Sequence, residues 1–155
     1  MHEDSSNGNN KKLSIALGSS RRLQGMLDEV LDLSRVESKH WKLSPKRREI
    51  LPLLNRVVLA FESFLVKKNI RFEYNADALR GLVINIDEDK FEKIINNLIY
   101  NSIKFNRESG WIRVTGLRTE RAVIIKVEDS GVGIPENELE FVFDRFYQSE
   151  INRKT

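Results

Sequence analysis

The chain has no cysteine, only two histidines and only three prolines among its 155 residues. The absence of cysteine excludes disulfide bonds and zinc sites built from thiolates, and it suits a reducing compartment. No stretch approaches the roughly 18 uninterrupted apolar residues of a membrane-spanning helix, and the N-terminus lacks the apolar core of a signal peptide.

The chain also lacks a large excess of charge of either sign. The 26 Lys and Arg residues nearly balance 23 Asp and Glu residues, which leaves a net charge of +3. The basic residues are scattered among acidic ones and form no stripe, so the pattern argues against a nucleic-acid-binding protein. The length allows one globular domain plus an extra element.

The first 40 residues divide into two parts. Residues 1–11 are polar and rich in Asn and Gly, which predicts a disordered segment. Residues 12–40 carry apolar positions at the spacing of an amphipathic helix, beginning at Leu13 and continuing to Leu33. The apolar face is too broad for one packing partner, so this helix is expected to belong to a helical bundle.

Residues 41–155 predict one domain in which helices and strands alternate along the chain. Asp87 is placed to cap a helix over 87–105. The inward residues expected on this helix are Phe91, Ile94, Ile95, Leu98 and Ile99. The other expected elements are a short strand within 41–50, a helix over 52–68, strands over 70–74 and 82–86, a hairpin of 110–117 with 122–128, and a short helix from 136.

Polar residues recur on one face of the 87–105 helix. Asn97, Asn101 and Lys104 are separated by four and three positions, so they share a face. A carboxamide oxygen is a suitable ligand for Mg²⁺ when phosphates supply the negative charge, and a Lys one turn later can neutralise a phosphate oxygen. The alternative for this segment alone is an ordinary solvated helix face.

A Gly-rich loop with the sequence DSGVGIP occupies residues 129–135, directly after an apolar strand. Its two glycines permit positive φ and a close approach of a ligand to the backbone. The Asp129 carboxylate can accept a hydrogen bond from an exocyclic amine such as adenine N6. An ordinary turn has the same composition and remains the alternative for the loop taken alone.

Together these segments resemble the ATP-binding domain of sensor histidine kinases, within the wider family of gyrase-, Hsp90- and MutL-type ATPases. Residues 87–105 resemble the N box of that family, 129–135 its G1 box, and 143–147 (FDRFY) its F box. The helix that ends in LDLSRVE at 31–37 resembles the second helix of the dimerisation and phosphoacceptor hairpin. The implied domains are therefore the partial hairpin, 12–40, and the ATP-binding domain, 41–155.

The resemblance implies an α+β fold, a two-layer sandwich with helices on one face of a mixed sheet. It implies ATP and Mg²⁺ as cofactors. Asn101 would be the Mg²⁺ ligand, Asn97 and Lys104 would lie near the phosphates, and Phe105 would lie against the nucleotide.

The remaining implied site residues come from the Gly-rich loop. Asp129 would read adenine N6, while Gly131 and Gly133 would shape the pocket and the base of a mobile lid. The aromatic residues at 143–147 are expected to serve mainly in packing.

Two parts of the family pattern are missing from this sequence. No phosphoacceptor box surrounds His2 or His40, so we expect no autophosphorylation. The Gly-rich box that cradles the β- and γ-phosphates is expected beyond Thr155, so we expect weak nucleotide binding and a disordered tail after Ser149.

The resemblance makes the leading hypothesis a cytoplasmic domain of a membrane-anchored, homodimeric bacterial sensor kinase. Such a kinase transfers phosphate from ATP to a His of the parent protein and then to the Asp of a response-regulator receiver domain. One alternative is a non-catalytic regulatory or dimerisation module of the same fold. Another is an ATPase or serine-directed kinase, against which the bundle-like upstream helix argues.

Overall fold

The structure is a computed structural model that describes residues 42–144 and Tyr147. The chain divides into two units, 1–43 and 44–155, and the features described below belong to the second. The expected disordered segment 1–11, the expected helix 12–40, His2, His40, Phe146 and the tail after Ser149 lie outside the described residues.

Helices and strands alternate through the described residues. The strands are β1 (Lys46–Glu49), β2 (Arg71–Asn75), β3 (Val83–Ile86), β4 (Trp111–Arg118) and β5 (Val123–Asp129). The α-helices are α1 (Ile50–Leu59), α2 (Glu62–Lys67) and α3 (Glu88–Lys104). Two 3₁₀ helices, Asp77–Leu79 and Glu136–Phe141, complete the described elements.

The strands form two sheets. β1 and β3 pair antiparallel, while β4 lies between β2, its parallel neighbour, and β5, its antiparallel neighbour. The α+β class with a mixed sheet, expected from the sequence, is therefore confirmed, although the strands are divided between two sheets. Side chains on β4 alternate as a half-buried strand requires, with Ile112 and Val114 fully buried.

Helix α3 forms the centre of the core. Phe91, Ile95, Ile99 and Ile103 recur every fourth residue and are all buried. They pack in one cluster with residues of α1 and β4, including Leu54. The helix therefore has a buried stripe that fixes it to the rest of the domain.

The N-terminus of α3 is held by the expected cap. The Asp87 carboxylate accepts hydrogen bonds from the Lys90 backbone N–H at 3.2 Å and from the Ser44 backbone N–H at 2.9 Å. These bonds hold the pKa of Asp87 below its usual value, the Ser44 bond having the larger effect. The cap satisfies an unpaired helical N–H and also ties the start of the domain to α3.

Ion pairs join the same end of α3 to β1 and α1. The Glu88 carboxylate pairs with Arg48 and with Arg56, and Arg56 also pairs with Glu92. The hydrogen bond from Arg48 is the main reason that the pKa of Glu88 lies below its usual value. These side chains are partly exposed, so we treat the pairs as orienting contacts of small energetic weight.

Two expectations about helices were wrong. The single helix expected over 52–68 is divided into α1 and α2 by a turn at residues 60–61. No Pro or Gly occurs between 53 and 68, so the local sequence does not mark the break. Ile94 and Leu98, expected inward, are 59% and 44% exposed, because the covered arc of α3 is narrower than its apolar stripe.

Among the described residues, no helix combines the length and the apolar character needed to cross a membrane.

We expect Ile99→Ala to lower the free energy of unfolding by about 2–5 kcal/mol, because it removes a fully buried side chain and leaves a cavity. Ile94→Ala, the same change on an exposed position of α3, is the control and is expected to cost about 0.5 kcal/mol or less. Urea unfolding measures both. Equal losses in the two variants would contradict the packing described here.

We expect Asp87→Ala to lower the melting temperature at neutral pH, and the difference from the parent chain to shrink as the pH falls below about 4. The folded state depresses the pKa of Asp87, so the ionised carboxylate stabilises the fold above its unfolded pKa, and this contribution is lost as the group protonates. Thermal unfolding at several pH values measures the effect. Asp89→Ala, an exposed carboxylate in the same turn, is the control, and an identical pH dependence in both variants would contradict the cap.

Candidate functional site

A cleft of about 520 Å³ opens between the C-terminal half of α3 and the loop that follows β5. Its walls combine apolar side chains with a carboxylate, an amide and a lysine. The lining residues are Leu98, Asn101, Ser102, Lys104, Phe105, Val127, Asp129, Val132, Gly133, Ile134, Val142 and Tyr147.

The Asp129 carboxylate is fixed on both oxygens. Its Oδ2 accepts a hydrogen bond from the Ser102 hydroxyl at 3.0 Å, and its Oδ1 accepts one from the Gly131 backbone N–H at 2.8 Å. One donor belongs to α3 and the other to the loop. The Asp129 residue remains exposed to the cleft, so the carboxylate is both oriented and accessible to a ligand.

The loop after β5 lies directly against the end of α3. The Val132 backbone N–H donates to the Phe105 carbonyl at 3.2 Å. A Cβ at Gly131 would lie 2.5 Å from the same carbonyl oxygen, closer than real contacts allow, so this approach requires glycine. Gly133 has a φ of +74°, a left-handed conformation that glycine adopts without strain.

Ser130 ties the same loop to the start of β4. Its hydroxyl accepts the Trp111 backbone N–H at 2.8 Å and lies 3.1 Å from the Asn106 side-chain oxygen, to which it donates. The Ser130 backbone N–H also donates to the Trp111 carbonyl. The base of the loop is therefore held by α3 on one side and by β4 on the other.

The polar face of α3 supplies the other functional groups. Asn101 and Lys104 line the cleft and are exposed, as their positions on the helix predict. The Lys104 ammonium lies 4.6 Å from the centroid of the Phe105 ring, a cation–π contact. Asn97 is exposed one turn earlier on the same helix and is not among the lining residues.

Five of the seven residues selected from the sequence therefore meet at the cleft: Asn101, Lys104, Phe105, Asp129 and Gly133. Gly131 lies against the Phe105 carbonyl and supports the loop without lining the cleft.

Sequence reasoning missed the apolar walls and Ser102. Val127 had a usable signal, because alternate side chains of a strand share a face and Val127 lies two positions before Asp129. Of the aromatic residues at 143–147, Tyr147 lines the cleft and packs on Phe141 with ring centroids 6.0 Å apart. Phe143 is 96% exposed, so among the described residues it does not serve in packing as expected.

The arrangement suits a flat heteroaromatic ring joined to an anionic group. Apolar walls can enclose a ring, Asp129 can accept from a ring amine, and Lys104 can face negative charge. In the described part of the chain, no three His, Asp or Glu side chains cluster as a metal site. A divalent cation would therefore need the ligand's own phosphate oxygens and water beside the Asn101 carboxamide, a donor set that fits Mg²⁺.

Comparisons with known proteins point to one class of ATP-binding domain. Residues 86–155 match the family described as "Histidine kinase-, DNA gyrase B-, and HSP90-like ATPase". The chain is 28% identical over 138 residues to the sensor histidine kinase WalK of Bacillus subtilis, covering 88% of this chain and 22% of WalK. It is 30% identical over 139 residues to the sensor histidine kinase TmoS of Ectopseudomonas mendocina, covering 89% of this chain and 14% of TmoS.

The fold is also found among solved structures. Histidine kinase ThkA, in its crystal structure with the response regulator TrrA, superposes with a TM-score of 0.72 at 26% identity, covering 89% of this chain and 40% of ThkA. The chain spans less than a quarter of the length of WalK or TmoS, so it corresponds to one part of such proteins.

The matching family model, the relatives and the fold lead to one conclusion: the chain carries an ATP-binding domain of the kind found in sensor histidine kinases.

Proposed function

We propose that this domain supplies ATP to a phosphotransfer reaction in which the γ-phosphoryl group passes to a His of the parent protein and then to a receiver Asp. The observation that carries the proposal is the cleft that joins the Asp129 carboxylate on the loop to Asn101 and Lys104 on α3. It offers one recognition group for a nucleobase and two for a phosphate chain. ThkA, a similar kinase, has been crystallised with a response regulator, which supports a receiver domain as the partner.

Each group in the cleft has a distinct task in this proposal. Asp129 accepts a hydrogen bond from adenine N6, and Phe105 lies against the nucleotide. Lys104 neutralises phosphate charge, and Asn97, one turn before Asn101 on α3, would lie near the phosphates. Mg²⁺, held by Asn101 together with phosphate oxygens, would supply charge neutralisation for phosphoryl transfer.

The two glycines of the loop have different tasks. Gly131 allows the loop backbone to approach α3, which keeps Asp129 at the wall of the cleft. Gly133, with its positive φ, redirects the chain towards Ile134 and forms the base of the lid. Both tasks are structural, so neither glycine needs to contact the nucleotide.

Catalysis of phosphoryl transfer depends mainly on positioning and on electrostatic stabilisation of the phosphate oxygens. The proposed site supplies one Lys and one metal ligand for this purpose. The proposed acceptor His belongs to the parent protein, because neither His2 nor His40 lies in a phosphoacceptor box. We therefore propose that this chain binds nucleotide weakly and does not phosphorylate itself.

The larger setting follows from the same proposal. Residues 12–40 would be the second helix of a dimerisation hairpin and 41–155 the ATP-binding domain, within a homodimer. Because ATP is a cytoplasmic substrate, the domain would act on the cytoplasmic side of a membrane-anchored sensor. The second candidate function is a non-catalytic regulatory or dimerisation module of the same fold, which the lack of a phosphoacceptor box favours.

We expect Asp129→Asn to abolish binding of ADP and of a non-hydrolysable ATP analogue, because the amide no longer offers two acceptor oxygens to Ser102, Gly131 and the base amine. Asn101→Ala is expected to remove the Mg²⁺ dependence of binding and to leave Mg²⁺-free ADP binding within about threefold. Isothermal titration with and without Mg²⁺ measures both.

Thr115→Ala, a substitution on β4 away from the cleft, is the control for this titration. Retained ADP affinity in Asp129→Asn would contradict the assignment of Asp129. If a version extended by the next residues of its parent protein is folded and still binds no nucleotide, the non-catalytic module is the correct function.

We expect no covalent phosphate on this chain after incubation with Mg²⁺ and radiolabelled ATP, because no His lies in a phosphoacceptor box. A phosphate-affinity gel at neutral and alkaline pH, where phosphohistidine survives, measures the label. His40→Gln is the control variant. If the unmodified chain is labelled and His40→Gln removes the label, the assignment of the acceptor to the parent protein is overturned.

A further inference from the structure

Ser102 is a polar side chain within the otherwise apolar core face of α3. It is 6% exposed and is the one buried polar or charged residue among those the structure describes. Its neighbours on the buried stripe are Ile99 and Ile103, so an Ala at this position would satisfy both packing and helix propensity. The hydroxyl is therefore not explained by the fold of α3.

The hydroxyl has a specific partner outside the helix. A Ser in a helix commonly bonds back to the carbonyl four residues earlier. The Ser102 hydroxyl instead donates to Asp129 Oδ2 at 3.0 Å, across 27 positions of sequence. It also lies on the wall of the cleft, beside the carboxylate that it contacts.

We propose that Ser102 is a specificity-determining positioning residue, which makes the site select a 6-aminopurine nucleotide over a 6-oxopurine nucleotide. The inference rests on the proposed nucleotide site and deepens it. Ser102 acts through Asp129: with Gly131 it fixes which carboxylate lone pairs remain free for a ligand.

The selectivity follows from acceptor chemistry. An ionised carboxylate has about four lone-pair positions and no donor. One position on each Asp129 oxygen is occupied by a protein donor, and the remaining positions belong to a held carboxylate that lines the cleft. A 6-amino group can donate to them. A 6-oxo group places a second acceptor against them, and the fixed carboxylate cannot turn away.

Removal of the Ser102 hydroxyl removes the hydrogen bond that holds Oδ2 of the Asp129 carboxylate. The Asp129 side chain is exposed, so water can replace the lost donor and the carboxylate can rotate about its remaining bond to Gly131. A rotated carboxylate can share a water molecule with a 6-oxo group. We therefore expect loss of discrimination between bases, and only a small loss of affinity for the 6-amino ligand.

The test compares dissociation constants of ADP and inosine diphosphate, which differ at position 6 of the base. In Ser102→Ala we expect the preference for ADP over inosine diphosphate to fall by about tenfold, the size of one hydrogen bond to a charged group. Ser63→Ala, an exposed Ser in α2, is the matched control and should keep the preference of the unmodified chain. Thermal unfolding of each variant reports the fold separately.

The outcomes separate this inference from the proposed function. If Ser102→Ala binds both nucleotides more weakly by the same factor, Ser102 is only structural and the inference is overturned. If the unmodified chain binds ADP but does not prefer it to inosine diphosphate, the selection mechanism is wrong while the nucleotide site stands. If the chain, extended and folded, binds neither nucleotide, the proposed function fails and the inference with it.

Ser102→Cys provides a second variant should Ser102→Ala fail to fold. The thiol keeps a similar volume but is a weak donor. Its preference for ADP should fall in the same direction and by less than tenfold. A preference equal to that of the unmodified chain would overturn the inference.

Discussion

The candidate site depends on the attachment of the loop after β5 to the C-terminal end of α3. The Val132 N–H bonds to the Phe105 carbonyl, and the Asp129 carboxylate bonds to the Ser102 hydroxyl. Because α3 also carries Asn101 and Lys104, these two bonds fix the carboxylate relative to the polar face of the helix. A side chain at Gly131 would separate the two segments, since its Cβ would overlap the Phe105 carbonyl.

The attachment is effective only because α3 is itself immobilised. Its buried stripe, centred on Ile99, packs against α1 and β4, and its N-terminus is held by the Asp87 cap and the Glu88 ion pairs. The helix can therefore carry an exposed polar face without losing its position. The 17 residues of α3 therefore supply a core face on one side of the helix and part of the cleft wall on the other.

The cleft divides recognition from transfer. In the proposed function, Asp129, Ser102 and the apolar walls would read a base, whereas Asn101 and Lys104 would face the phosphates; all of them line the cleft. Binding of this kind holds ATP but does not by itself provide an acceptor for the phosphoryl group. This division fits a chain that carries the ATP-binding domain of a sensor histidine kinase and spans less than a quarter of relatives such as WalK.

Local patterns in the sequence were enough to predict much of the fold. The cap at Asp87 and the helix that follows it were predicted correctly, because capping and 3.6-residue periodicity are local properties. The antiparallel pairing of β4 with β5 was also predicted, since alternation and a short turn indicate a hairpin. The spacing of Asn101 and Lys104 and the loop at 129–135 identified two sides of the cleft for the same reason.

The tertiary structure alone decided which of these apolar residues are buried, where the helices end and which distant residues meet. It left Ile94 and Leu98 exposed and divided the helix expected over 52–68, because the shape of the packing partner determines how wide an apolar stripe is covered. It also brought Ser102 to Asp129 across 27 positions, a contact that neither segment specifies alone. The sequence by itself determined most of the elements and the residues that we propose bind a nucleotide. Their meeting in one cleft was decided by the packing of α3 against the sheet, since long-range contacts depend on how separate elements fit together.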